Sequence, residues 1–406
     1  MHKTFEEVVT FENLYKAYIS AKRGKSKKPE VILFKENLNV NLIKLFKKVR
    51  SFTFDGFKYD KFYISYPKKR LIHAPSFEAR IVQHMLCDYY LTPLIERHCI
   101  YDNAACRKNK GTDFARQRLE KFMNAYKQTN GNINGYILQI DIKKYFQSIN
   151  HLVLKEKLLK IVKDKKLYKL LSNIIDSYSN ENAENKGLAL GNQTSQNFAL
   201  YYLDNIDRLI KEKYQIKYYI RYMDDFIIIH KDKNHLKALL SEIKEEFKKL
   251  DILINDKKTF IQKLSHGISF VGYNFKFNKK LKLVIKVKKK TLQRVLKNYK
   301  KAKYFSKYSK EGKEYFNNLI NSLNSVFEKE KNYNSKFHKK VNELMAKNKL
   351  DVILKREKRI NEIHYYNLRK SKSLNKIKNK HKTVFVNYRR INKPEDNYAK
   401  VLCMCC

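Results

Sequence analysis

The period-two stretches of this chain carry its most conspicuous acids. In Tyr136–Phe146, Leu138, Ile140 and Ile142 alternate with Gln139 and Asp141. That pattern predicts a strand that buries its aliphatics and presents Asp141 on the other face. Tyr218-Tyr219-Ile220-Arg221-Tyr222 and Phe226-Ile227-Ile228-Ile229 are two runs of strand formers flanking Met223-Asp224-Asp225, which predicts a hairpin with acid at its tip. Neighbouring strand positions face opposite ways, so only a turn at Met223-Asp224 lets both carboxylates approach one locus. Elsewhere the spacing is helical: from Ile81 through Leu94-Ile95, at Ala199, Leu203, Ile206 and Ile210, and at Leu236, Leu239, Leu240, Ile243 and Phe247 within 232–250. Ser76 is placed to cap the first of these helices, and Thr194 or Ser195 the second. Residues 1–60 show helical patches around a basic linker at 23–29, 151–186 read as helical and close in a polar loop at 177–186, and the chain beyond about 280 is helical and heavily basic.

Composition adds a partner to this picture. The 406 residues are 43% hydrophobic, enough for a full core and more than one lobe, and carry a formal charge of +48. A polyanion such as nucleic acid neutralises that charge; codon bias toward Lys, Asn, Ile, Tyr and Phe is the alternative source of the lysines. The first residues lack an apolar signal core and no stretch reaches the length of a membrane span, so a cytoplasmic protein without a membrane partner is expected. Cysteines at 87, 99, 106, 403, 405 and 406 form no CxxC pair, which argues against a zinc site or a disulfide framework.

Each candidate residue has a plain structural reading beside its chemical one. Asp224-Asp225 taken alone is an ordinary turn, and Asp141 alone a satisfied cap on Ser148 or Asn150. Phe146 taken alone belongs in a core, and Arg70 and Arg80 at the surface. Gly191 permits a close backbone approach.

In chain order, however, these segments resemble the reverse transcriptases of the group II intron and diversity-generating retroelement lineages, over roughly 63–275. The basic segment and helix of Tyr63–Gln83 resemble the fingers, where Arg70 and Arg80 would grip the incoming triphosphate with planar guanidinium forks. The loop at 101–112, with Arg107, corresponds to a template-contacting loop. Asp141 and Phe146 match the strand acid and the aromatic gate that excludes a 2′-hydroxyl. Leu190-Gly191-Asn192-Gln193-Thr194-Ser195-Gln196 resembles the box supporting the template–nucleotide pair, with Leu190 in place of the common Gln and Gln196 in place of Pro, a form similar to diversity-generating enzymes and to some uncharacterised and defence-associated bacterial relatives, and implying altered fidelity. Tyr222-Met223-Asp224-Asp225 resembles the catalytic box. Asn255-Asp256-Lys257-Lys258-Thr259 matches a segment whose lysine, Lys258, would protonate pyrophosphate, and Phe270-Val271-Gly272 lies in a primer-grip-like hairpin.

The resemblance implies an α+β right-hand polymerase: an N-terminal helical extension at 1–62, fingers at 63–135, a palm with an antiparallel sheet at 136–280 (with a fingers insertion at about 151–186), and a basic helical thumb and tail at 281–406. It implies RNA-directed DNA polymerisation with two Mg²⁺, for which Mn²⁺ is a substitute, held by Asp141, Ile142, Asp224 and Asp225. The partners implied are an RNA template, a DNA or RNA primer and dNTPs, with a small accessory protein or a structured non-coding RNA in addition. Two alternatives stay open: a defence-associated enzyme making protein-primed or untemplated DNA, and a catalytically idle RNA-binding protein.

Overall fold

The computed structural model describes residues 3–64, 70–178 and 184–291, with scattered residues from 293 to 318. The terminal cysteines, residues 65–69 and most of the expected thumb lie outside these. The chain divides into two compact units, one of Met1–Val271 with Lys276–Leu283, the other of Gly272–Phe275 with the chain from Val284 onward.

The centre of the first unit is a four-stranded antiparallel sheet. Its strands are Tyr136–Asp141 (β3), Tyr218–Tyr222 (β4), Asp225–His230 (β5) and Phe260–Lys263 (β6), in the order β4-β5-β3-β6. A separate antiparallel pair is made by Tyr59–Ile64 (β1) and Arg70–Pro75 (β2). The architecture is therefore α+β. In β3, Ile137, Leu138 and Ile140 are all buried, as are Phe226 through Ile229 of β5. These two strands are covered on both faces, so the alternation expected for β3 is overlaid by burial from either side. Removing one such aliphatic side chain from water contributes about 1.5–3 kcal/mol.

Helix Lys233–Lys249 follows β5, capped by Asp232 and burying Leu236, Leu239, Ile243 and Phe247. The Lys/Leu-rich region forms two helices, His151–Ile161 and Lys165–Asp176. The helix expected through Ile210 is interrupted: Gln193–Tyr202 and Asp204–Arg208 are α-helical and Leu209–Lys213 is a π-helical turn. Its cap position falls on Asn192, while Thr194 and Ser195 lie inside the helix and are buried, so neither caps it. Ser76 does cap Phe77–Leu86, accepting from the Ala79 amide at 3.1 Å. The N-terminal residues form four helices from Phe5–Val8 to Leu38–Arg50.

In the chain around the division between units, strands Tyr273–Phe277 and Leu283–Val287 are neighbours, and the division runs through both. Among the described residues no helix is long and apolar enough to cross a membrane.

Candidate active site

β3 and β5 pair in a register that sets Asp141 opposite Asp225. Directly opposed residues project on the same face of the sheet, so these carboxylates are cross-strand neighbours. Tyr222 pairs with Asp225 across β4 and β5, which leaves Met223 and Asp224 as a two-residue turn. Met223 has φ 53°, a positive value that suits the twist of a tight hairpin but is strained for a side chain other than glycine. The turn thus carries Asp224 to the strand end where Asp141 and Asp225 already face each other.

Asp141 is only 7% exposed, and a buried carboxylate requires partners. The segment Asn255–Thr259 supplies them. The Asn255 side-chain amide donates to Oδ1 at 2.8 Å, and Lys258 Nζ donates to Oδ1 at 3.1 Å and Oδ2 at 2.8 Å. The Thr259 hydroxyl accepts from the Asp141 amide at 3.3 Å, and the Asn255 amide donates to the Asp141 carbonyl at 2.8 Å. The plain structural alternative, a cap on Ser148 or Asn150, is not what Asp141 does: its carboxylate is held by Asn255 and Lys258. Ile142 lies just beyond, bridged to Ile254.

The electrostatics of the three acids are linked. Burial pushes the Asp224 carboxyl above its ordinary range; a backbone hydrogen bond opposes this, Asp141 adds to it, and Lys258 and Arg70 pull it back. Lys258 is held above its ordinary value, chiefly by its bond to Asp141, against partial burial and with further support from Asp225 and Asp224. The donor set suits a hard divalent cation: its oxygens are carboxylate, and a cation relieves the penalty of keeping Asp224 charged beside Asp141. Among the described residues no cluster of three or more His, Cys, Asp or Glu stands ready-made for a metal ion.

Other expected residues divide into those drawn toward this centre and those engaged elsewhere. Arg70, at the start of β2, acts electrostatically on Asp224. Arg80 does not present a free fork: it pairs with Glu30 and lies over the Phe77 ring at 5.7 Å. Arg107 is likewise taken up internally, bonding Glu96 at 2.8 Å and the Ile100 and Asn103 carbonyls at 2.7 and 2.9 Å. Phe146 is half-buried on the short helix Tyr145–Ser148, with its ring edge-on to Tyr145 at 5.9 Å.

The Leu190 carbonyl accepts from the His73 amide of β2 at 2.9 Å. Gly191 has φ +136°, and a Cβ there would lie 2.6 Å from the His73 carbonyl oxygen, so the close approach it serves in this structure is to β2. Ser195 is buried and Gln196 half-exposed on the helix that follows. Phe270 is buried, while Val271 and Gly272 have φ 39° and 89°, consecutive positive values of the kind found in tight hairpin turns.

Sequence reasoning gave Asn255 and Arg221 no role of their own and passed over Asp207. Arg221 is wholly buried and bonds Asp207 through Nε at 2.8 Å and Nη2 at 2.5 Å. A lone arginine in a strand run carried the only available signal.

Residues 58–275 match the family model for reverse transcriptase (RNA-dependent DNA polymerase). No curated protein matches the chain. Among solved structures it is similar to apo telomerase from Candida tropicalis truncated from the C-terminal domain, at 17% identity and TM-score 0.44, over 57% of this chain and 55% of that one. It is also similar to telomerase from Candida albicans in complex with the TWJ fragment of telomeric RNA, at 14% identity and TM-score 0.44, over 64% of this chain and 54% of that one. The chain spans about half the length of these telomerases. The matched segment covers more than half of the sequence and contains β2, all three acids and Lys258, so the chain belongs to the reverse transcriptase (RNA-dependent DNA polymerase) family.

Proposed function

We propose that this chain is an RNA-directed DNA polymerase whose centre is the Asp141, Asp224 and Asp225 trio. The observation that carries the reading is the register of β3 and β5, which opposes Asp141 to Asp225 while the Met223 turn delivers Asp224 to the same strand end. Asp141 and Asp224 would hold Mg²⁺, with Asp225 as the outer carboxylate and the Ile142 backbone beside them. Such ions, when bound, activate a primer 3′-hydroxyl and neutralise a leaving pyrophosphate.

The chain's own residues prepare the site for that role. Lys258 holds both Asp141 oxygens and must yield at least one to a cation. With a cation bound, Lys258 would still feel the three carboxylates and would be the residue to protonate the leaving pyrophosphate. Arg70 sets a second positive charge toward Asp224 from β2, where a triphosphate would need it. Phe146 stands as the gate against a 2′-hydroxyl. In domain terms, 63–135 would be the fingers, 136–280 the palm and 281–406 the thumb and tail, consistent with phosphate contacts that need charge without sequence reading.

Asp224→Asn tests the reading, because it keeps the shape of the turn while removing its charge. Nucleotide incorporation on a primed RNA template should fall by at least about a thousandfold, with RNA affinity and thermal stability close to wild type. Retained polymerisation would refute the assignment.

The form Leu190-Gly191 with Gln196 supports a narrower reading, a diversity-generating type of enzyme. Leu190 has no polar group to bond near a nascent pair, and one lost hydrogen bond is worth about 1–3 kcal/mol of discrimination. Leu190→Gln should therefore lower misincorporation about tenfold or more, most visibly opposite template adenine. Equal per-base error spectra at matched extension would remove Leu190 from the account of fidelity, and an accurate wild type would favour a defence or intron-derived role.

A further inference from the structure

Arg221 is the bulkiest fully buried side chain among the described residues. A buried charge is costly even when paired, and replacing such a pair by apolar groups is often neutral or stabilising, so stability alone does not account for an arginine here. What the guanidinium touches is more informative. Nε and Nη2 bond the two Asp207 oxygens at 2.8 and 2.5 Å, and Nη2 also donates to the Leu200 carbonyl at 3.1 Å. Nη1 donates to the Met223 carbonyl at 3.1 Å.

That last bond ends on the turn that carries Asp224. Met223 sits at φ 53°, and a strained residue persists only where its surroundings over-determine it. Asp207 is itself fixed, since the Tyr219 hydroxyl donates to Oδ1 at 2.5 Å. The Arg221 backbone is pinned as well, its amide donating to the Asp102 carbonyl at 3.1 Å and its carbonyl accepting from the Ala104 amide at 2.9 Å. A planar fork anchored this firmly transmits the position of helix Asp204–Arg208 to the turn.

We propose that Arg221 is a positioning residue: anchored on Asp207, it fixes the Met223 carbonyl and thereby the direction in which Asp224 meets a divalent cation. The proposal rests on the reading of the acids as a metal-dependent polymerase centre. Lysine at this position keeps the charge but cannot hold Asp207 and the Met223 carbonyl in one rigid plane.

The test compares full-length wild type and Arg221→Lys by Mn²⁺ titration, with free Mn²⁺ read by electron paramagnetic resonance, and by primer extension. Folded Arg221→Lys should bind primed RNA like wild type, lose about tenfold in Mn²⁺ affinity, and lose about a hundredfold in kcat with little change in the KM for dNTP. Mn²⁺ binding reads the turn without polymerisation, so a wild type that binds Mn²⁺ but extends no primer would sink the functional reading and leave positioning still measurable. Should Arg221→Lys not fold, Tyr219→Phe removes only the hydroxyl that braces Asp207 and Arg221 and should weaken Mn²⁺ binding in the same direction. Unchanged Mn²⁺ affinity per folded molecule, whether in Arg221→Lys or in Tyr219→Phe when that variant stands in, overturns the proposal and leaves Arg221 as core packing.

Discussion

At the scale of single residues, Gly191 shows how the lack of a side chain lets the Leu190–Gln196 segment meet β2. Its backbone lies in the region favouring glycine, and a methyl group would press on the His73 carbonyl. Gly191→Ala should cost about 1–3 kcal/mol, seen as a lower melting temperature together with faster exchange of the His73 amide, which bonds Leu190. Normal stability and normal exchange would show that β2 gives way freely. The requirement for glycine was legible in the sequence, but the neighbour was not. The acids were legible for a related reason, because strand formers on both sides of Asp224-Asp225 and the alternation before Asp141 define their surroundings locally. Arg221 and Asp207 were not, because their pairing arises only when a helix packs beneath a strand fourteen residues later, and no local pattern encodes that contact. The partners of Arg80 and Arg107 were illegible on the same ground: Glu30 and Glu96 reach them through tertiary packing.

At the scale of elements, the short segment from Phe146 to His151 is laced to the chain leading into Leu190-Gly191. The Leu188 amide donates to the Phe146 carbonyl at 2.7 Å, the Gly187 amide to Ile149 at 2.8 Å and the His151 amide to Asn185 at 2.9 Å. The His151 ring closes the seam through Nε2 and the Gly187 carbonyl at 2.7 Å. Burial holds the His151 imidazole below its ordinary pKa, partly opposed by that bond and by Asp176. A base whose pKa is lowered on folding is protonated first in the unfolded chain. Its contribution to stability is therefore full above about pH 6.5 and is lost as the pH falls below it. The melting temperature should drop from pH 7.5 to 5.5, and His151→Gln, whose amide can still reach Gly187 but does not titrate, should flatten part of that drop. Equal slopes in the two proteins would exclude His151 as a contributor. Helix boundaries at this scale were only partly readable: periodicity through Ile210 was correct as a buried face, but the break after Tyr202 and the π-helical turn at Leu209–Lys213 follow from packing that apolar spacing does not record.

At the scale of the whole molecule, the chain carries a net charge of +48 while its Asp141, Asp224 and Asp225 cluster is built from acids. The long-range field and the local site therefore act oppositely on two ligands. A nucleic acid gains from the field by releasing counterions, so its affinity should fall about 10³- to 10⁵-fold between 50 and 200 mM salt if six to ten phosphates are engaged. A free divalent cation would be repelled by the same field and, on the proposed reading, attracted only at contact by Asp141 and Asp224. Salt screens the distant charges beyond a Debye length of about 10 Å at 0.1 M and leaves contact distances of a few ångströms little affected. Raising the salt should thus strengthen Mn²⁺ binding to the nucleic-acid-free protein while it weakens binding of a primed RNA. The two titrations, run on one preparation at about 50 and 200 mM KCl, should give slopes of opposite sign. Parallel slopes would mean that the positive charge lies too far from the acidic turn to be felt there, and that the basic residues and the acids work independently.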